Sequence, residues 1–122
     1  YTSVTKEPVP GQGYTGGGQE IDPKIGTPGS VRALDALTGE TRWNFPLQTG
    51  SSATGVLATG GDVLFASSSD GHLIALESRT GRYLWHYNTG AHIVASPISY
   101  AVDGKQHVAI ASQSAIFVFA LP

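Results

Sequence analysis

The chain has 122 residues and a formal net charge of −2, with 40% hydrophobic and 13% charged residues. This composition is typical of a globular domain, and the weak charge gives no electrostatic case for binding nucleic acid or an anionic membrane. The sequence contains no apolar run of about 18 residues that would span a bilayer. It also lacks cysteine, which excludes disulfides and thiolate metal sites.

Residues 1–29 are rich in glycine and proline and show neither helical nor strand periodicity. They contain a G-x-G-x-x-G pattern at Gly11, Gly13 and Gly16, but prolines precede it and further glycines follow. A dinucleotide-binding turn needs a strand before the glycines and a helix after them. We therefore predict a folded-back loop segment in which glycines adopt positive φ angles, and no nucleotide site.

From residue 30 onward, short apolar runs and alternating patterns separated by glycine turns predict β-strands. Residues 30–47 predict two strands, which are half of a four-stranded blade. Residues 51–90 predict a complete four-stranded meander, and residues 91–122 predict three further strands. The predicted turns of the complete blade lie at Gly60-Gly61, Asp70-Gly71 and Thr80-Gly81.

The stretch that ends at Trp85 repeats the stretch that ends at Trp43, at a constant offset of 42 residues (Gly29 to Gly71). A period near forty residues is typical of propellers and solenoids. We therefore predict an all-β fold, a partial β-propeller of four-stranded antiparallel blades. The matched pairs are Ala33 with Ala75, Asp35 with Glu77, Thr38 with Thr80, Gly39 with Gly81, and Trp43 with Trp85.

Half a blade, one full blade and three strands cannot close a propeller, which typically has four to eight blades. Left alone, they would expose apolar faces and unpaired sheet edges. We therefore expect partner blades, supplied by further chain or by other copies of this one.

The repeated pattern A-x-D-x-x-T-G-x-x-x-W resembles the tryptophan-docking motif of pyrroloquinoline quinone (PQQ) dehydrogenase propellers. The first copy matches it in full, and the second departs only in Glu77. The loop G-Q-G-Y-T-G-G-G and the tail segments S-P-I-S-Y-A-V-D-G-K-Q-H-V-A-I-A-S and F-V-F-A-L-P resemble the methanol/ethanol dehydrogenase branch. This resemblance implies that the ten repeat residues dock neighbouring blades, with each indole lying flat against the next blade.

The resemblance also implies an eight-bladed propeller that holds PQQ with a calcium or lanthanide ion and oxidises alcohols or sugars in the periplasm. A cytochrome or a quinone would accept the electrons. The base and the metal ligands of that family come from earlier blades, so we predict no catalytic and no metal-ligating residue here. The candidate cofactor contacts are Ala53, Thr54 and Gly55, at the loop where methanol dehydrogenases place a tryptophan beside glycines.

Two functional hypotheses follow from these observations. The first is the C-terminal part of a PQQ-dependent alcohol dehydrogenase, in which this stretch is propeller scaffold near the cofactor. The alternative is a cofactor-free PQQ-like repeat scaffold for protein–protein interaction, as in outer-membrane assembly lipoproteins or sensor ectodomains. The docking repeat occurs in both classes, whereas the tail and the Gly11–Gly18 loop favour the dehydrogenase.

The isolated polar residues carry no recognisable catalytic motif. The aspartates at glycine turns fit turn chemistry, because Asp hydrogen-bonds its own backbone there. The four histidines show no metal-ligand spacing, so a shared metal site is not predicted. They are His72, His86, His92 and His107.

Overall fold

A computed structural model describes residues 2–4, 7–14, 18–20, 29–47 and 53–120. Residues 1, 5–6, 15–17, 21–28, 48–52 and 121–122, which include parts of the predicted loop segment and the last two residues of the tail motif, lie outside the described residues. Within these ranges the chain forms eleven strands. They are β1 (Thr2–Val4), β2 (Gly18–Glu20), β3 (Ser30–Leu34), β4 (Thr41–Pro46), β5 (Ala53–Ala58), β6 (Val63–Ser68), β7 (His72–Glu77), β8 (Tyr83–Asn88), β9 (Ile98–Val102), β10 (Lys105–Ala111) and β11 (Ile116–Ala120).

The strands pair into four sheets. Strands β3 and β4 form a two-stranded sheet, β5-β6-β7-β8 a four-stranded meander, and β9, β10 and β11 a three-stranded sheet. All of these pairings are antiparallel, and no described residue is helical. The all-β prediction is confirmed.

The fourth sheet lies in the segment that the sequence analysis assigns to a loop. Strands β1 and β2 pair antiparallel, with Thr2 opposite Glu20 and Val4 opposite Gly18. These three-residue strands are too short to give a detectable alternation of apolar and polar residues. The pairing brings residues 2–4 beside residues 18–20.

The turn between β5 and β6 differs from the predicted two-residue hairpin at Gly60-Gly61. The backbone N–H of Thr59 donates to the carbonyl of Val63, and Asp62 is the residue with a positive φ, of 61°. The loop therefore has three residues and ends in a left-handed conformation, which is a common hairpin geometry. Asp tolerates this conformation better than most residues do.

Strand β7 separates two apolar clusters because successive side chains point to opposite faces of a strand. Ile74 and Leu76 pack with Val31 and Leu47 of the half blade. Leu73 packs on the other face with Ile93 and Ile110 of the last sheet. Each cluster joins two neighbouring sheets, so the three larger sheets form a stack with β7 at its centre.

Candidate functional site: the docking turns and the innermost strand

The turn between β3 and β4 is held by the carboxylate of Asp35. Its Oδ1 accepts hydrogen bonds from the backbone N–H groups of Leu37 and Thr38, both at 3.0 Å. Its Oδ2 accepts from the Arg42 guanidinium at 2.6 Å. The Thr38 hydroxyl accepts in turn from the backbone N–H of Glu40 at 3.3 Å. The spacing of Asp35 and Thr38 in the repeat thus has a physical reason, since the two side chains close one turn together.

The turn between β7 and β8 has the same backbone geometry with a different carboxylate. The backbone N–H of Gly81 donates to the carbonyl of Glu77 at 2.8 Å, as that of Gly39 does to the carbonyl of Asp35 at 2.9 Å. The Glu77 carboxylate accepts from the Thr80 hydroxyl at 2.5 Å and from the Arg82 guanidinium at 3.4 Å. The longer acid therefore closes the turn through side chains, where Asp35 uses backbone amides.

These contacts lower the pKa of both acids. The Arg42 guanidinium, followed by the amides of Thr38 and Leu37, lowers the pKa of Asp35 from 3.8 to about 2. The Thr80 hydroxyl, followed by Arg82, lowers the pKa of Glu77 below its ordinary value. A carboxyl whose pKa is lower in the folded state stabilises the fold above its unfolded pKa. The contribution of Asp35 is therefore full above about pH 4 and disappears as the pH falls toward 2.

Replacing Arg42 with glutamine should raise the pKa of Asp35 toward its ordinary value, because Arg42 contributes the largest part of the shift. A pH titration of the Asp35 carboxyl carbon by NMR measures this change. Arg79→Gln is the matched control, since Arg79 pairs with Asp62 at 3.1 Å on another turn. An Asp35 that titrates at its ordinary value in the unmodified chain would contradict the described turn.

The indole of Trp43 lies against the second turn. Its Nε1–H donates to the backbone carbonyl of Ser78 at 3.0 Å. Gly81 has a φ of 72°, and a Cβ built there would lie 2.6 Å from two atoms of the Trp43 ring. Only a glycine leaves room for this approach. The repeat therefore brings Trp43 of the half blade onto the glycine turn of the full blade.

Trp85 has a different environment although it occupies the same place in the repeat. Its ring meets Phe119 of the last sheet edge-on, at a centroid distance of 5.3 Å, and stacks on Tyr87 at 6.3 Å. It lines a largely apolar groove of about 560 Å³ between the four-stranded and three-stranded sheets and remains 39% exposed. Trp85 thus contacts the neighbouring sheet through an aromatic edge rather than through a glycine turn.

The alanines of the repeat face the tryptophans across the ladder. Ala33 pairs with Trp43 and Ala75 with Trp85, and a β-bulge follows each alanine at Leu34 and Leu76. A small side chain opposite each indole leaves the ring free to lean toward the next sheet. The two copies of the repeat thus agree in register as well as in sequence.

The proposed cofactor contacts lie at the start of β5, where the structure shows an inter-sheet junction. The Thr54 hydroxyl donates to the carbonyl of Ala95 at 3.1 Å and shares a hydrogen bond with the Ser67 hydroxyl at 2.5 Å. The Ser96 hydroxyl donates to the carbonyl of Thr54 at 3.4 Å. A Cβ on Gly55 would lie 2.0 Å from the Ser96 Oγ, so Gly55 permits the close packing of the two sheets.

Ala53 is placed by its backbone alone, opposite Ser68 in the β5–β6 ladder. The hydroxyl of Thr54 is thus already hydrogen-bonded to Ala95 and Ser67, and the space beside Gly55 is occupied by Ser96. Calcium and lanthanide sites are built from several oxygen ligands, whereas the described residues contain no group of three His, Asp or Glu side chains placed to hold an ion. These residues do not by themselves fit PQQ or its metal.

Residues 26–120 match a repeat family described as "Outer membrane protein assembly factor BamB". The lanthanide-dependent methanol dehydrogenase of Methylorubrum extorquens is 39% identical over 107 residues, which are 85% of this chain and 18% of that enzyme. The quinoprotein ethanol dehydrogenase of Pseudomonas putida is 39% identical over 86 residues, which are 67% of this chain and 13% of that enzyme. The chain belongs to the PQQ-dependent (quinoprotein) alcohol dehydrogenase family.

The fold of this quinoprotein-family chain agrees with solved members. The crystal structure of quinohemoprotein alcohol dehydrogenase from Comamonas testosteroni superposes with a TM-score of 0.64 at 34% identity, over 68% of this chain and 12% of that one. The prediction of propeller blades is confirmed. The chain spans less than a fifth of each of these three relatives.

The matching repeat family is described by the name of an assembly factor, which is the class of the alternative hypothesis. The individual relatives described above are all dehydrogenases. Among the described residues there is no helix with the length and hydropathy of a membrane span.

Proposed function

We propose that this chain is a C-terminal segment of a PQQ-dependent alcohol dehydrogenase. The observation that supports this most is its 39% identity, over 85% of its own length, to a lanthanide-dependent methanol dehydrogenase. The substrate class is an alcohol or a sugar, the proposed cofactor is PQQ with calcium or a lanthanide, and the proposed location is the periplasm. A cytochrome or a quinone is the proposed electron acceptor.

Within that enzyme the segment acts as scaffold. The ten repeat residues form the docking elements, in which a carboxylate and a threonine shape a turn and the turn receives an indole. Trp43 against Gly81 is the contact that supports this role. The start of β5 contributes through backbone position, since the Thr54 hydroxyl is bonded to Ala95 and Ser67. The base and the metal ligands are supplied by other blades.

The remaining blades of the enzyme are the proposed partners of this segment. By the ladder register, five apolar side chains of the last sheet share the face that points away from the four-stranded blade, and each is at least 41% exposed. A sheet face of this composition needs a covering layer. The residues are Ile98, Tyr100, Val102, Ile116 and Val118.

The experiment that tests this function is reconstitution of the full-length protein that contains this segment. With PQQ and calcium or a lanthanide, it should reduce an artificial dye when an alcohol is added, whereas the 122-residue chain should not. The protein binds, orients and polarises such a cofactor, and the described residues contain no group of three His, Asp or Glu side chains that could hold its metal ion.

The control is the full-length protein with the metal omitted. A full-length protein that neither binds PQQ nor reduces the dye under any of these conditions would favour the scaffold of the assembly-factor class. Turnover by the 122-residue chain alone would instead show that its own residues carry the chemistry.

A further inference from the structure

The face of the half blade that points away from the full blade carries a cationic side chain. Val31 packs with the full blade, and successive side chains of a strand point to opposite faces. Arg32 therefore points away from the full blade, and the ladder places Asn44 opposite Arg32 on the same face. Ser30 and Leu34 share this face by the same alternation, and Leu34 is 59% exposed.

The second copy of the repeat shows what covers this face when a preceding blade is present. One repeat later, 42 residues on, Arg32 corresponds to Ile74 and Leu34 to Leu76. Ile74 is 9% and Leu76 0% exposed, and both belong to one cluster with Val31 of the preceding half blade. This face of a blade is thus the one that meets the preceding blade. Arg32 therefore lies at the position where the full blade buries an isoleucine.

The guanidinium of Arg32 is held by its inner nitrogen alone. Nε donates to the Ser30 hydroxyl at 3.1 Å and to Oδ1 of Asn44 at 3.0 Å. Among the residues that the structure describes, the terminal nitrogens Nη1 and Nη2 have neither a hydrogen-bond nor an ion-pair partner. Arg42 of the same sheet differs, because it is already paired with Asp35 at 2.6 Å. The outer fork of Arg32 is therefore available to a further group.

A guanidinium without an anion does not fit a covered position of this kind. Removing a charge from water is costly unless the charge is paired and hydrogen-bonded. The planar fork of an arginine matches the two oxygens of a carboxylate, which accept two parallel hydrogen bonds from it. Since Ser30 and Asn44 already orient the inner nitrogen, the outer fork of Arg32 needs little further ordering to bind a carboxylate.

We propose that the preceding blade of the propeller presents the carboxylate of an aspartate or glutamate to Arg32, and that the two form a bidentate ion pair between blades. This inference rests on the proposed function only in placing the segment within a longer propeller. By the repeat geometry, the acid lies on the face of the preceding blade that corresponds to the face of Val31 and Leu47. The ion pair takes the place of the apolar packing that Ile74 makes one blade later.

Two substitutions of Arg32 in the full-length protein test this pair by thermal unfolding. Arg32→Ile introduces the side chain of the equivalent position in the full blade, whereas Arg32→Ala only removes the arginine side chain. At pH 7 both should lower the melting midpoint by about 3 °C or more, because each leaves a covered carboxylate without its cation. Arg32→Lys should lower the midpoint less, since lysine keeps the charge but not the fork.

Arg79→Ala is the matched control for these variants. Arg79 pairs with Asp62 at 3.1 Å, and its side chain is 76% exposed. An exposed ion pair of this kind contributes little to stability, so the substitution should shift the midpoint by less than about 1 °C.

The pH dependence of the loss separates an ion pair from a purely structural role. A carboxylate that is paired with arginine stabilises the folded state above its unfolded pKa of about 4. The loss caused by Arg32→Ala should therefore narrow as the pH falls from 7 toward 4, where the unpaired carboxylate takes up a proton. The loss of packing, or of the bonds to Ser30 and Asn44, does not change with pH in this range.

A double-mutant cycle identifies the partner of Arg32. Replacing the acid on the stated face of the preceding blade by its amide should lower the midpoint about as much as Arg32→Ala, and the double variant should lose little more than either single variant. The inference is overturned if that face carries no acid, if Arg32→Ile does not lower the midpoint at pH 7, or if the loss is equal at pH 7 and pH 4. Failure of the proposed function would appear separately, as the absence of alcohol-dependent dye reduction by the unmodified protein, and would leave these melting differences measurable.

Discussion

Replacing Trp43 with alanine should lower the free energy of unfolding of the chain by about 3 kcal/mol, the lower end of the range for removing a packed tryptophan. The substitution removes the ring that packs on Gly81 and with the cluster of Val31 and Ile74. It also leaves the carbonyl of Ser78 without the indole hydrogen bond of 3.0 Å. Denaturant unfolding followed by far-ultraviolet circular dichroism measures the loss.

Leu37→Ala is the control for this experiment. Leu37 lies in the turn between β3 and β4 and is 97% exposed, so its truncation should change the stability by less than about 0.5 kcal/mol. A loss below about 1 kcal/mol for Trp43→Ala would show that the indole does not hold the half blade against the full blade.

Gly81→Ala should destabilise the chain by about 2–4 kcal/mol, whereas Gly39→Ala should cost only about 1–2 kcal/mol. The two glycines have almost the same φ, 72° and 73°, so the cost of a left-handed alanine is common to both. They differ in surroundings, because a Cβ at Gly39 meets no atom within 4 Å, whereas one at Gly81 meets the Trp43 ring at 2.6 Å. The excess at Gly81 is the cost of displacing that ring.

The pair of glycine variants separates backbone strain from docking within one protein. The difference between their unfolding free energies should disappear in a Trp43→Ala background, because the ring that collides with the new methyl group is then absent. Equal losses at the two glycines in the unmodified background would mean that Trp43 does not rest on Gly81.

Much of the fold could be predicted because the repeat encodes it twice. Each copy places Thr and Gly at one turn and a tryptophan after it, and the structure gives both turns the same backbone bonds from Gly39 and Gly81. The strands can be predicted because glycine turns separate short apolar runs, and such runs are typical of β-strands. Strands β3 and β4 lie within residues 30–47, β5 to β8 within 51–90, and β9 to β11 within 91–122.

Pairings between distant residues could not be predicted in the same way. The bonds of Thr54 to Ala95, and the approach of His72 to His86, depend on strand register and on how sheets stack. A shift of one residue in register would turn a side chain to the other face of its sheet. Sequence spacing therefore identifies four scattered histidines, whereas the ladder places two of them side by side.

Local backbone geometry was the other reason why the structure differs from the sequence-based prediction. The positive φ at Asp62 moves the hairpin loop one residue beyond Gly60-Gly61, although glycine is the more obvious candidate for such a conformation. At the turn between β7 and β8 the sequence departs from the docking motif, but the structure does not. Glu77 replaces the aspartate and the turn is kept, because Thr80 and Arg82 donate hydrogen bonds to Glu77 where backbone amides donate to Asp35.

The claim that this chain is a set of blades within a larger propeller is tested most directly by Trp85→Ala in two contexts. In the 122-residue chain Trp85 is 39% exposed and meets Phe119 in a T-shaped contact, so the loss of stability should be about 1 kcal/mol. In the full-length protein a further glycine turn should cover the ring as Gly81 covers Trp43, and the loss should rise to about 3 kcal/mol. Equal, small losses in both contexts would contradict the account, since no further turn of the propeller would then cover Trp85.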